Sequence, residues 1–354
     1  MNTVLNLKHF DTTKQPLFLG EPLSLQRYDK FKYPIFFDLY KKQVELFWWP
    51  HEISLNRDRD QYKKLSPEEE FVFNTNLQFQ TLGDSMLSRS IHSLAQYVSN
   101  PELEICMNAW AHMEGIHSYS YSYLLNNVHS DASAFFDSIM ENKEILSRAA
   151  LIRDNYDKIL GDDNKKDIKQ KIFDCILATN VMEGLVFYVS FACSFYFGYR
   201  GIMEGNAKII KQIQKDEAVH FSITQNLIQI LRDNPNEGFQ EIISDSEQKI
   251  YDIYTESTKN EEEWAKYLFE KGSLLGLNAE SLGTYSRWLA DNRLRSLGYK
   301  KIFNEKTNPL SGWLDSYMDS SKVQPAPQET EITSYLIGAR NTELVDGDFS
   351  GLEL

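Results

Sequence analysis

Trp110-Ala111-His112-Met113-Glu114-Gly115-Ile116-His117-Ser118-Tyr119-Ser120-Tyr121 is the stretch on which the reading of this 354-residue chain turns. Glu114 and His117 are three apart, so on a helix they project from one face about a turn apart, and Tyr121 continues the same stripe. A carboxylate and an imidazole so placed can ligate one metal ion, with a phenol close above them. One Glu-x-x-His is a weak signal, because the pattern recurs by chance. This chain has a second, Glu217 and His220.

Composition narrows the setting. Hydrophobic residues make up 42% of the chain and aromatics 13%, with only 10 Pro and 17 Gly, which favours a large core and long uninterrupted helices. A formal charge of −14 argues against a nucleic-acid surface, which requires a basic face. Cys106, Cys175 and Cys193 have no C-x-x-C spacing and read as buried thiols in a reducing cytoplasm. Residues 1–13 lack the apolar core of a signal peptide. The most apolar run, 181–197, is shorter than a membrane span and carries Glu183 and Gly184, so a helix buried on all sides is expected and a membrane anchor is not.

Periodicity then divides the chain. Residues 1–32 form an extended N-terminal segment. Apolar positions at three- and four-residue steps predict helices over 33–49, 66–98, 102–128, 132–140, 143–159, 166–199, 207–232, 237–270 and 279–297. Ser66-Pro67-Glu68-Glu69 carries the cap, proline and acids of a helix start. Residues 56–64 read as a charged connector, 161–165 as a surface turn, and Glu204-Gly205-Asn206 as a break. The helical domain is expected over 33–303, with a flexible segment over 304–354.

Ferritin-like bundles hold two metal ions with one carboxylate from each of two helices and Glu-x-x-His from each of the other two. The chain supplies that set on four predicted helices: Glu114 with His117, Glu217 with His220, and the lone acids Asp84 and Glu183 on apolar stripes. Singly, each has a plainer reading. Either histidine could be a satisfied core residue, Glu183 a hydrogen-bonded buried acid, and Asp84 a capping or exposed one. Jointly they define an all-α, ferritin-like dinuclear site, and six oxygen and imidazole donors without a thiolate suit iron or manganese better than structural zinc. Phe187 and Phe191 follow Glu183 at four-residue steps, so a dry aromatic pocket could shield an oxidised Tyr121. Tyr121 could equally be a packing residue among Tyr119 and Tyr123.

Several segments resemble the small, radical-generating (beta) subunit of class Ia ribonucleotide reductase over nearly the whole length: Phe47-Trp48-Trp49-Pro50, Gln80-Thr81-Leu82-Gly83-Asp84-Ser85, Glu114 to Tyr121, Phe187 to Phe195, Met203 to Ile210, Lys215 to His220, and Ala326-Pro327-Gln328-Glu329 with Ser334-Tyr335-Leu336 in the tail. The resemblance implies two iron ions in an oxo-bridged pair, manganese being the alternative. Asp84, Glu114 and His117 would hold one ion and Glu183, Glu217 and His220 the other, with Glu114 bridging. It further implies a tyrosyl radical on Tyr121 formed with molecular oxygen, a pocket of Phe187 and Phe191, and radical transfer through Trp48, Asp216 and Tyr335 with Glu329 assisting. Asp216 would be hydrogen-bonded to His117. The implied partners are a second copy of the chain and the large (alpha) subunit, on which residues 349–354 would dock; the implied reaction reduces ribonucleoside diphosphates. A ferritin-like di-iron oxidase or desaturase is the alternative, and iron storage or an inert scaffold a more distant one. Two features depart from the family's pattern: the connection at 161–165 is short, and Tyr119 and Tyr123 flank the radical position and could compete for its oxidation.

Overall fold

The computed structural model describes residues 3–8, 11–160 and 167–318. Fourteen α-helices lie among them: α1 Pro34–Glu45, α2 Asn56–Tyr62, α3 Pro67–Ala95, α4 Pro101–Val128, α5 Ala132–Ile139, α6 Lys143–Arg148, α7 Ala150–Leu160, α8 Ile168–Val181, α9 Phe187–Tyr199, α10 Glu204–Asp233, α11 Gln240–Asp245, α12 Glu247–Leu268, α13 Ala279–Ser296 and α14 Ser311–Met318. A five-residue π-helical turn, Met182–Val186, joins α8 to α9. No β-strand occurs among the described residues, only the isolated bridges Phe18 to Val98 and Leu274 to Leu277.

The long helices start where local chemistry tells them to. The Ser66 side chain accepts from Glu69 N while the Glu69 carboxylate accepts from Ser66 N, a closed capping box with Pro67 at the first position. Asn100 caps Leu103 N ahead of Pro101 on α4. Each such cap is worth about 1 kcal/mol. Helix α10 is different. Its first N–H groups, Gly205 and Asn206, donate to Asp58 Oδ1 and Oδ2 at 3.0 and 2.7 Å, so the cap arrives from α2.

Helix α3 lies along α4, and α10 along α8 and α9, which brings the elements that carry the expected ligands around one core. Phe79, Trp110, Phe173, Phe187, Phe191 and Phe195 are fully buried there. Removing each large side chain from water stabilises the fold by about 1.5–3 kcal/mol. The helical run Ile168–Tyr199 is long and apolar enough to cross a membrane, yet its whole apolar window is buried inside protein. That is the signature of a core helix.

Several boundaries differ from the periodicity. Residues 56–62 are helical, because α2 is held by α4 and α10 rather than by an apolar stripe of its own. Glu204-Gly205-Asn206 is the first turn of α10, stabilised by the distant Asp58. The span 143–159 divides at Ala149, and 237–270 divides at Ser246 into α11 and α12. Residues 311–318, beyond the expected end of the helical body, form α14; Leu314 is buried and Tyr317 stacks on Phe195 at 5.0 Å. The turn at 161–165 lies outside the described residues.

Candidate metal centre

On α4, Glu114 and His117 stand one turn apart, and α10 repeats the arrangement with Glu217 and His220; Asp84 comes from α3 and Glu183 from the π turn. All six are fully buried. Asp84, Glu114, His117 and Glu217 each bring a donor atom within 4.8 Å of the others, and so do Glu114, Glu183, Glu217 and His220. The two sets overlap at the glutamates. His117 Nδ1 lies 3.1 Å from Glu217 Oε1, 3.6 Å from Glu114 Oε2 and 3.7 Å from Asp84 Oδ2. His220 Nδ1 lies 2.8 Å from Glu217 Oε2 and 3.1 Å from Glu114 Oε1. Each glutamate therefore turns one oxygen to each imidazole. The sequence resemblance implies bridging by Glu114; these distances give Glu217 the same reach.

Both oxygens of Asp84, both of Glu183, Glu114 Oε2, Glu217 Oε1 and His117 Nδ1 are buried without a hydrogen-bonding partner. Each orphaned group costs about 1–3 kcal/mol, so this concentration calls for cations or protons to compensate it. Four carboxylates balance the charge of two divalent ions, and oxygen with imidazole donors fits such a pair. Without metal, protons must substitute. Burial, then the charges of Glu114 and Glu217, pushes the Asp84 carboxyl well above the carboxylate range, and burial with the Glu217 charge does the same to Glu183. Burial opposes a charge on either histidine, but Glu217 outweighs it: His117 rises well above its ordinary value, helped by Asp216, and His220 rises to about 9.

Around this cluster sits a second layer. The Asp216 carboxylate Oδ2 is 3.0 Å from His117 Nε2 and accepts from Trp48 Nε1 at 2.9 Å. A carboxylate behind one ring nitrogen fixes the tautomer that leaves the other, Nδ1, free to ligate. Trp48, only 5% exposed, stacks on His117 with ring centroids 6.4 Å apart, so Trp48, Asp216 and His117 form a continuous contact path to the cluster. Trp110 belongs to this layer as well, and residue typing alone passed it over. Its Nε1 donates to Glu114 Oε1 at 2.9 Å and its ring stacks on His220 at 5.1 Å. Its position one turn before Glu114 was the available signal.

Tyr121 is fully buried, and burial together with Asp84 raises its phenol well above the ordinary value. Phe187 and Phe191 stack at 6.0 Å within the same core, and Phe187 packs so closely on Gly83 that an added Cβ would lie 2.8 Å from its Cε1. Glycine immediately before Asp84 is thus a packing requirement. Of the flanking phenols, Tyr119 is 48% exposed against Trp49, and the Tyr123 hydroxyl donates to Ile53 O at 2.9 Å. Glu329, Tyr335 and residues 349–354 lie outside the described residues.

Four helical elements converge two Glu-x-x-His pairs and two further carboxylates on one buried cluster able to hold metal, the arrangement of the ferritin-like dinuclear carboxylate proteins. Residues 26–309 match the model of the family described as ribonucleotide reductase, small chain. The chain belongs to that family. It is 38% identical over 366 residues to the ribonucleoside-diphosphate reductase 1 subunit beta of Escherichia coli O157:H7, covering 97% of each. It is 37% identical over 374 residues to the ribonucleoside-diphosphate reductase subunit beta of Buchnera aphidicola subsp. Acyrthosiphon pisum, covering 99% of each. Among solved structures, the ribonucleotide reductase R2 subunit from Clostridium botulinum superposes with a TM-score of 0.81 at 26% identity, covering 90% of this chain and 98% of that one.

Proposed function

We propose that this small subunit stores an oxidising equivalent on Tyr121 and delivers it to a separate large subunit, where ribonucleoside diphosphates are reduced. The observation that carries this reading is a fully buried phenol beside two overlapping metal-ligand sets. Asp84, Glu114 and His117 would hold one ion and Glu183, Glu217 and His220 the other, Glu114 and Glu217 each reaching both. Iron is the proposed metal, with manganese accommodated by the same donors. When bound, the pair supplies the oxidising power, drawn from molecular oxygen, that removes one electron from Tyr121.

The chain's own residues do the rest. Burial with Phe187 and Phe191 excludes water and exogenous reductants from Tyr121. Because the phenol is held strongly protonated, oxidation must move its proton together with the electron, and Asp84 is the acid whose charge bears most on it. Asp216 orients His117 and links it to Trp48, which fits a route for the electron toward the surface. Tyr335 would continue that route with Glu329 assisting, and residues 349–354 would dock on the large subunit. A homodimer and a reducing cytoplasmic setting complete the proposal; the three buried, unpaired thiols are consistent with the latter.

Reconstitution with ferrous iron and oxygen tests it. A tyrosyl electron paramagnetic resonance signal is expected, and Tyr121→Phe should abolish it while leaving metal uptake intact, since the buried ring is kept and only its hydroxyl is lost. A signal surviving that substitution would assign the radical elsewhere. Substrate-dependent oxygen consumption without any stable radical would favour the oxidase or desaturase reading.

A further inference from the structure

Of the four ligand-bearing elements, one departs from regular α geometry at its ligand: Glu183 is the second residue of the π turn Met182–Val186. A π turn widens the helix by one residue and disturbs the regular ladder of backbone hydrogen bonds. Two of its carbonyls are taken by arginines from helices that contribute no ligand. Arg293 Nε, on α13, donates to Gly184 O at 2.8 Å, and Arg148 Nη2, on α6, donates to Val186 O at 3.1 Å.

Both arginines are themselves fixed. The Arg293 guanidinium lies 4.3 Å from the centroid of Phe221, the residue after the ligand His220, and 4.7 Å from that of Tyr188. Phe221 packs so tightly on Gly184 that a methyl group there would overlap its ring. Arg148 pairs through two nitrogens with the buried Glu261, donates from Nη1 to Ser190 Oγ at 3.0 Å, and lies 3.7 Å from the Phe79 ring centroid.

We propose that Arg293, with Arg148 acting on the same turn, is a positioning residue that holds the π turn so that Glu183 points into the metal cluster. The physical reason is angular. Successive α-helical residues are about 100° apart around the axis, so relaxing the extra residue back into the α ladder would swing Glu183 out of its set by about that angle. Helices α6 and α13, which supply no ligand, then have a function: they select the π form. The inference rests on the dinuclear reading above.

The experiment is anaerobic titration of the full chain with Mn(II), followed by paramagnetic resonance and metal analysis, on the unaltered chain, Arg293→Met and Arg293→Lys. The unaltered chain should take up two ions and lose the six-line signal of isolated Mn(II) as the ions couple. Arg293→Met should bind one ion with near-normal affinity and the second at least about tenfold more weakly, leaving a persistent six-line signal at two equivalents. Arg293→Lys, which keeps a donor for Gly184 O, should recover part of the second affinity, and it carries the test alone if the methionine variant does not fold. Two ions at unaltered affinity in Arg293→Met, or both weakened alike, would overturn the proposal. If the unaltered chain binds fewer than two ions, the dinuclear reading itself fails, and this inference with it.

Discussion

Asp216→Asn isolates what the carboxylate behind His117 contributes. The amide is isosteric, and its oxygen can still accept from His117 Nε2 and Trp48 Nε1, which lie 3.0 and 2.9 Å from Oδ2. What disappears is the negative charge that makes the imidazole a more basic ligand. Losing such an outer carboxylate costs about 10–100-fold in metal affinity, or about 1.4–2.8 kcal/mol at about 1.4 kcal/mol per decade. A second effect must be separated from this. Asp216 Oδ1 is buried without a partner, so the amide nitrogen takes a place with no acceptor, at a cost of about 1–3 kcal/mol. That cost falls on the metal-free and the loaded chain alike, and it cancels in the affinity while remaining visible in the melt. The assay is therefore a chelator-competition titration with Mn(II) or anaerobic Fe(II), paired with thermal unfolding of the metal-free protein. A drop of a few degrees together with the affinity loss is expected. Affinity within threefold of the unaltered chain, with the melt lowered as described, would refute the argument that Asp216 tunes the ligand.

Two further outcomes follow from the packing and protonation of the cluster. Gly184→Ala should lower stability by about 1–3 kcal/mol through overpacking against Phe221 and should weaken binding by the Glu183 and His220 set; an unchanged melt and metal stoichiometry would contradict the contact. Metal uptake should release protons, because Asp84, Glu183 and His117 are all raised well above their ordinary values and His220 to about 9. The sign is the same for each. Their protonated forms favour the metal-free fold, so the contribution of these four groups to its stability is present at low pH and falls as pH rises through the raised values, while metal affinity rises over the same window, the His220 part of it around pH 9. Calorimetry of Mn(II) binding in buffers of different ionisation enthalpy should show a buffer-dependent heat; identical heats would exclude proton release.

The sequence by itself determined which side chains form the cluster and which helices carry them. Glu114 with His117 and Glu217 with His220 are each a relation of three residues, and a helix converts that spacing into one face without help from the rest of the chain. The starts of α3 and α4 are equally local, since Ser66 with Glu69 and Asn100 with Leu103 satisfy their own first turns. Asp84 and Glu183 stood out because a lone acid on an apolar stripe must be compensated.

Only the tertiary structure decided how those groups meet. The start of α10 looked like a break because its cap, Asp58, lies 147 residues away in sequence from Gly205. The π turn under Glu183 was invisible to periodicity, since one inserted residue leaves an almost wholly apolar run without a readable stripe, and two of its carbonyls are taken by arginines 38 and 109 residues distant. The reach of Glu217 to both imidazoles is a matter of how α4 and α10 cross, which no spacing within α10 contains. Patterns that close within one helical turn can be read from the chain; bonds between groups brought together by burial depend on the whole core that buries them.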